Sequence, residues 1–235
     1  MNLSLAFALL KQYRDHIFLC ACAVALAVFV FSFVKAAKRR RALASFANRM
    51  GFKFFPDELA APPAFMEDEN LALFDKGLNR RAYNVLTDRA GGVEIHVFDY
   101  AYTAGERKNS REHRLTVAVF SAPDGAYPIF LIEPKGVFDK LDPFTERGAV
   151  DLEEYPGFSK SYSIDSLQDV QSLKAALHGV FGLLALEAGW HMQSSRQNVL
   201  FFKNTGLVPI GEYEDFVRKC RSVFGALNGN LTVRL

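Results

Sequence analysis

The sequence predicts an α+β protein: one N-terminal transmembrane helix followed by an antiparallel-sheet domain with segregated helices. Three observations carry this expectation. The stretch IFLCACAVALAVFVFSFV, between His16 and Lys35, holds eighteen residues and no charge. Short alternating apolar runs come next, separated by turn residues. Amphipathic helical patterns come after those runs rather than between them, which argues against a doubly wound sheet.

As a helix, the uncharged stretch rises 1.5 Å per residue and covers roughly 27 Å of hydrocarbon, enough to span a bilayer. Eleven of its residues are Ile, Leu, Val or Phe, and at central positions they favour insertion by about 3–6 kcal/mol in total. Lys11 and Arg14 precede it, whereas Lys35, Lys38, Arg39, Arg40, Arg41 and Arg49 come after it. Cytoplasmic flanks carry the excess of Lys and Arg, so the expected topology is single-pass with the C-terminal part inside. A cleaved signal peptide is the competing reading, but its basic cluster would precede the apolar core. Residues 1–16 are too short to span and fit an interfacial turn or a helical extension of the anchor.

The expected organisation is an anchor over residues 1–35, a basic juxtamembrane helix over 36–50, and a cytoplasmic domain over 51–235 that divides, if at all, into 51–148 and 149–235. In the juxtamembrane helix, Leu43, Phe46, Ala47 and Met50 share a face. Lys38, Arg39, Arg40 and Arg41 are its candidate lipid-facing residues, suited to anionic headgroups, or a topology signal alone. Phe52–Pro56 and the AAPPAF segment at 60–65 read as an irregular entry.

Candidate strands lie at 81–86, 93–102, 115–120 and 127–133, in an antiparallel meander whose first hairpin turns at Asp88–Gly92. Asp165–Ser166 marks the start of a helix carrying Leu167, Val170, Leu173 and Leu177 on its apolar stripe, with Ser166 and Asp169 as a weak capping box, and running to about Glu187. Trp190–Met192 and Asn198–Lys203 suggest a second hairpin. Tyr213, Phe216, Val217, Cys220, Val223, Phe224 and Leu227 define the last helix, which Asn228-Gly229 ends.

Composition narrows the chemistry. Half the 235 residues are hydrophobic, 22 of them Phe, and the net charge of +2 is too small for the broad basic surface of a nucleic-acid binder. Cys20 and Cys22 sit in the apolar segment and Cys220 on the distant helix, so no two form a natural bridge or metal pair; this pattern suits a reduced compartment. Asn230-Leu231-Thr232 matches a glycosylation acceptor that a cytoplasmic site would leave unused. GxxxxGK[ST], the dinucleotide glycine fingerprint, HExxH, CxxC and GxSxG are all missing, and with them the signatures of nucleotide, zinc and nucleophile-elbow chemistry. No cofactor is expected, and catalysis is the less favoured reading.

The most distinctive stretch is VFDYAYT at 97–103. Alternation puts His96, Phe98, Tyr100 and Tyr102 on one sheet face, and Val93, Ile95, Val97 and Asp99 on the other. Asp99, Tyr100, Tyr102 and His113 are the candidate catalytic residues. Asp99 serves either as a desolvated base or, the preferred reading, as a structural acceptor of hydrogen bonds. His113 and His191 become relevant only if the fold brings them together. The acidic run Asp151, Glu153 and Glu154 lacks the ligand spacing of a calcium loop and fits a solvated turn.

VFDYAYT and EYPGFSKSYSIDS at 154–166 resemble an uncharacterised group of bacterial membrane-anchored proteins with a cytoplasmic α+β domain. The likeness covers residues 45–230. It implies architecture, with no catalytic residues to carry over. The expected function is a membrane-tethered, non-catalytic interaction or scaffold domain at the inner face. It would act through the bilayer and an unidentified protein partner. The alternatives are a hydrolase of an envelope-derived small molecule and an anionic-lipid sensor.

Overall fold

The computed structural model describes residues 3–57, 63–105, 109–136, 148–149, 152–166 and 168–227. The chain forms two compact units, Met1–Leu43 and Ala44–Leu235. The described residues of the first, from Leu3 onward, are all helical. Helix α1, Leu3–Met50, is unbroken and extends roughly 72 Å over its 48 residues. No Gly or Pro interrupts residues 3–50, and the basic stretch expected to be helical over 36–50 is itself a good helix former, so the helix runs on through it. All eleven large apolar side chains between Ile17 and Val34 stand 42–71% exposed. This helix is long and apolar enough to cross a membrane.

The second unit begins with the last turns of α1. Gly51, at φ +78°, ends the helix in a left-handed turn, and the Phe52 N–H bonds back to the Ala47 carbonyl at 2.9 Å. Phe46 meets Tyr213 edge to face, with centroids 5.2 Å apart.

Among the described residues nine strands form one sheet, with antiparallel pairing throughout: β1 (Lys53–Phe55), β2 (Leu78–Ala90), β3 (Val93–Ala104), β4 (Arg111–Ser121), β5 (Phe130–Pro134), β6 (Gly148–Ala149), β7 (Tyr162–Ser166), β8 (Trp190–Ser194) and β9 (Asn198–Lys203). Their order is β1-β2-β3-β4-β9-β8-β5-β7-β6. Gly91 and Gly92, at φ +59° and +81°, make the two-residue turn of the first hairpin. The helices are α2 (Pro156–Ser159), α3 (Val170–Ala185) and α4 (Tyr213–Leu227).

Three expectations change. Residues 53–55, read as an irregular entry, pair with β2 as an edge strand. The meander stops at β4, whose next neighbour is β9 rather than β5, because the β8–β9 hairpin inserts between them. Asp165 and Ser166 end strand β7 instead of starting a helix; Tyr162, Ile164 and Ser166 alternate inward, a period-2 signal too short to stand out against the helix beside it. The helix start lies at Asp169, whose carboxylate caps α3 by accepting the Ser172 N–H at 2.9 Å. Leu167 and Asn228-Gly229 lie outside the described residues.

One sheet face packs against α3 and α4. Phe224 stacks on Phe120 at 4.6 Å and Phe216 on Trp190 at 5.4 Å. The two helices approach closely at Gly179, where an added Cβ would stand 3.3 Å from that of Ala226. The opposite face is covered by residues 63–77, a strap that opens with a 3-10 turn at Ala64–Glu67. Its Phe65, Leu71, Leu73 and Phe74 join Phe98, Tyr100, Leu115, Val117 and Phe202 in one apolar core.

Candidate functional site

Strand β3 places the sequence candidates on two different surfaces. Asp99 points to the helix-side face, pairing with Thr116 of β4 and Tyr83 of β2, and is fully buried. Its carboxylate accepts the Asn84 amide N–H at 2.9 Å and the Thr116 hydroxyl at 3.2 Å. That hydroxyl accepts the Val208 backbone N–H at 2.9 Å. Asn84 sits at φ +52° in a bulge between Tyr83 and Leu86, a left-handed position that Asn tolerates better than most residues. Asp99 thus ties the β2 bulge, β4 and the loop before α4 into one hydrogen-bonded knot.

Tyr100 and Tyr102 face the strap. Tyr100 is fully buried; among the described residues its hydroxyl finds no hydrogen-bonding partner, and burial pushes its pKa up. A phenol so desolvated stays protonated at neutral pH and is no base. Tyr102 stacks on His113, the rings 5.0 Å apart and 11° from parallel. Phe65, Phe98, Tyr100, Tyr102 and His113 thereby form a continuous line of ring contacts. His113 and His191 do not meet: two strand spacings and four residues separate their sheet positions, roughly 16 Å.

A polar island on the same face was not singled out from the sequence. His191 and Gln193 of β8 point to it, and the β5–β8 register sets Glu133 beside His191. All three are buried. The Gln193 carbonyl oxygen accepts the Leu73 N–H of the strap at 3.1 Å. His191 stacks on Phe202 at 4.5 Å, and its Nδ1 lies 3.8 Å from a Glu133 oxygen, too far for a hydrogen bond. Burial, reinforced by the Lys76 charge, lowers the His191 pKa to about 4, so the imidazole is neutral at pH 7. Alternation within WHMQS is enough to pair His191 with Gln193. Glu133 required the register, which no local pattern encodes.

On the other face, a groove of about 450 Å³ runs between the α3–β8 loop and α4. Trp190 forms part of its wall, between the Phe216 ring and the Lys203 ammonium 4.6 Å from the indole centroid. Lys203 is paired with Glu187. Of the basic candidates, Lys38, Arg40 and Arg41 are exposed and Arg39 is half-buried. Cys20 and Cys22 are exposed on α1 and Cys220 is buried, all three free thiols. Among the described residues no three His, Cys, Asp or Glu side chains cluster to hold a metal ion.

No family model matches the chain, and no curated protein matches it. A solved structure does: the crystal structure of the mycobacterial trehalose monomycolate transport factor A, TtfA, with a TM-score of 0.57 at 13% identity. The match covers 83% of this chain and 98% of that one, and it establishes a common fold.

Proposed function

We propose that this protein is a membrane-tethered, non-catalytic interaction domain, held at the inner face of a bacterial plasma membrane and acting through a protein partner. The observation that carries the reading is the run of eleven large apolar side chains standing 42–71% exposed along one uninterrupted helix. A surface of that size is not sustained in water, and a bilayer removes it from water. The Lys and Arg excess after residue 34 favours the inward orientation of the C-terminal domain.

The sequence candidates add no catalytic constellation to this picture. Asp99 is engaged in a structural knot on one face, while Tyr100, Tyr102 and His113 belong to an aromatic wall on the other. A tether confines the domain to a thin layer and raises its effective concentration toward other membrane components, so modest affinity suffices. The naming of the fold neighbour as a trehalose monomycolate transport factor favours an accessory role in moving envelope lipids.

The test is cross-linking of the full-length chain in intact membranes, then affinity capture and identification of co-purifying proteins. Reproducible enrichment of a particular membrane protein is expected. Release of the domain by protease added outside sealed cells would refute the orientation. Turnover of a hydrolase or transferase substrate by the purified full chain would refute the non-catalytic reading.

A further inference from the structure

The geometry points to a second bilayer contact at the sheet end formed by the starts of β2 and β4. There Arg81 and Arg114 bind anionic phospholipid headgroups while Leu78 enters the acyl boundary. The inference rests on the membrane tether proposed above and concerns residues outside the juxtamembrane basic run.

Register aligns the surface. Leu78 lies opposite Thr103, which faces Glu112; Arg81 lies opposite Ala101, which faces Arg114. Leu78, Arg81, Glu112 and Arg114 therefore share one face across three strands, in two neighbouring rows. A bulge between Leu78 and Arg81, with Asn79 at φ +54°, sets Leu78 apart from the regular strand and leaves it 73% exposed. Glu112 accepts from Arg81 Nη2 at 2.7 Å and from Arg114 Nε at 2.7 Å. One carboxylate thus holds two guanidiniums side by side. Their side chains remain 47% and 57% exposed, with donors left over for another anion.

The charge balance points the same way. Among the described residues, Lys76, Arg80, Arg81, Arg111 and Arg114 lie in or beside the starts of β2 and β4, against the carboxylates of Asp75, Glu112 and the buried Asp99. Guanidinium forks match phosphate oxygens in pairs, and pre-positioning reduces the entropy lost on binding. A soluble phosphate or a nucleic acid would engage the arginines yet leave Leu78 in water. A bilayer surface takes both groups at once, and a tethered domain is always within reach of one.

The experiment uses the full chain carrying Cys20→Ala, Cys22→Ala and Asn109→Cys, labelled at the exposed loop position with an environment-sensitive fluorophore. Cys220 does not compete, since it is buried and burial pushes its thiol pKa up. The protein is placed in nanodiscs of phosphatidylcholine, with or without phosphatidylglycerol, both containing a doxyl-quencher lipid. Severalfold stronger quenching is expected in the anionic discs. It should fall to the zwitterionic level with Leu78→Glu, with Arg81→Ala plus Arg114→Ala, and at high salt, while buried Trp190 fluorescence confirms that each variant is folded. Equal quenching in the two disc types, indifference to these substitutions, or release by inorganic phosphate at constant ionic strength would overturn the inference. Failure of the chain to enter discs would instead overturn the tether. In that case the same label, with vesicles of the two compositions, still decides the patch by the same criteria.

Discussion

Replacing Asp99 by alanine separates a structural carboxylate from a functional one. The side chain is fully buried and accepts hydrogen bonds from Asn84 and Thr116, so its removal strands two buried donors. At about 1–3 kcal/mol for each unsatisfied group, the expected loss is about 2–6 kcal/mol. For a domain of this size, at about 2–4 °C per kcal/mol, that corresponds to a Tm lower by roughly 4–24 °C. Asp99→Asn keeps the volume and one acceptor but turns an amide N–H toward existing donors, and should cost about half as much. The assay is denaturation of the full-length chain in a fixed membrane mimetic, monitored through Trp190, the one tryptophan, which is 2% exposed and sits on the same face of the sheet. A Tm unchanged in Asp99→Ala would refute the structural reasoning. An unchanged Tm with abolished partner capture would move Asp99 into the functional surface.

Three further outcomes rest on the same structure. His191, with its pKa lowered to about 4, binds fewer protons folded than unfolded, so stability is complete above about pH 6.5 and falls with pH toward 4, by about 2–3 kcal/mol from this group. Denaturation across that range should show a shallower loss in His191→Phe, which keeps a ring on Phe202; parallel profiles for the two proteins would contradict the assignment. Gly77→Ala should cost more than about 2 kcal/mol, because Gly77 sits at φ +64° and an added Cβ would fall 2.3 Å from the Thr103 carbonyl oxygen; chemical denaturation measures it. Arg221→Met removes the partner of Asp88, a pair at 2.9 Å with the two side chains 7% and 25% exposed, and should destabilise by about 1–3 kcal/mol; an unchanged midpoint in chemical denaturation would contradict this.

Local pattern made part of this structure legible in the sequence. The last helix shows its buried stripe in the order Tyr213, Phe216, Val217, Cys220, Val223, Phe224, and the first hairpin announces itself through Gly91-Gly92. Lys53–Phe55 escaped because three residues have no periodicity to measure, and Tyr162–Ser166 because its polar alternates look like helix-capping residues. The insertion of β8–β9 between β4 and β5 is a long-range choice: β4 and β5 are joined by a short loop yet pair with different strands. The site was legible to the same degree. Alternation put Asp99 opposite Tyr100 and Tyr102, while the Asn84 bulge that engages Asp99 arises from a register shift within β2.

These placements explain why a chain rich in polar residues at strand ends carries no recognisable catalytic signature. Asp99 holds a bulge and a loop; Gln193 holds the strap through the Leu73 N–H; Asp68 holds the β8–β9 turn by accepting the Asn198 side-chain N–H at 3.0 Å. Each fixes an irregular segment that the sheet cannot hold by ladder hydrogen bonds, which is what buried polar groups contribute when they are satisfied. The tether reading proposed above assigns recognition to surfaces that these hydrogen bonds do not use, among them the exposed apolar helix and the arginine-bearing sheet end.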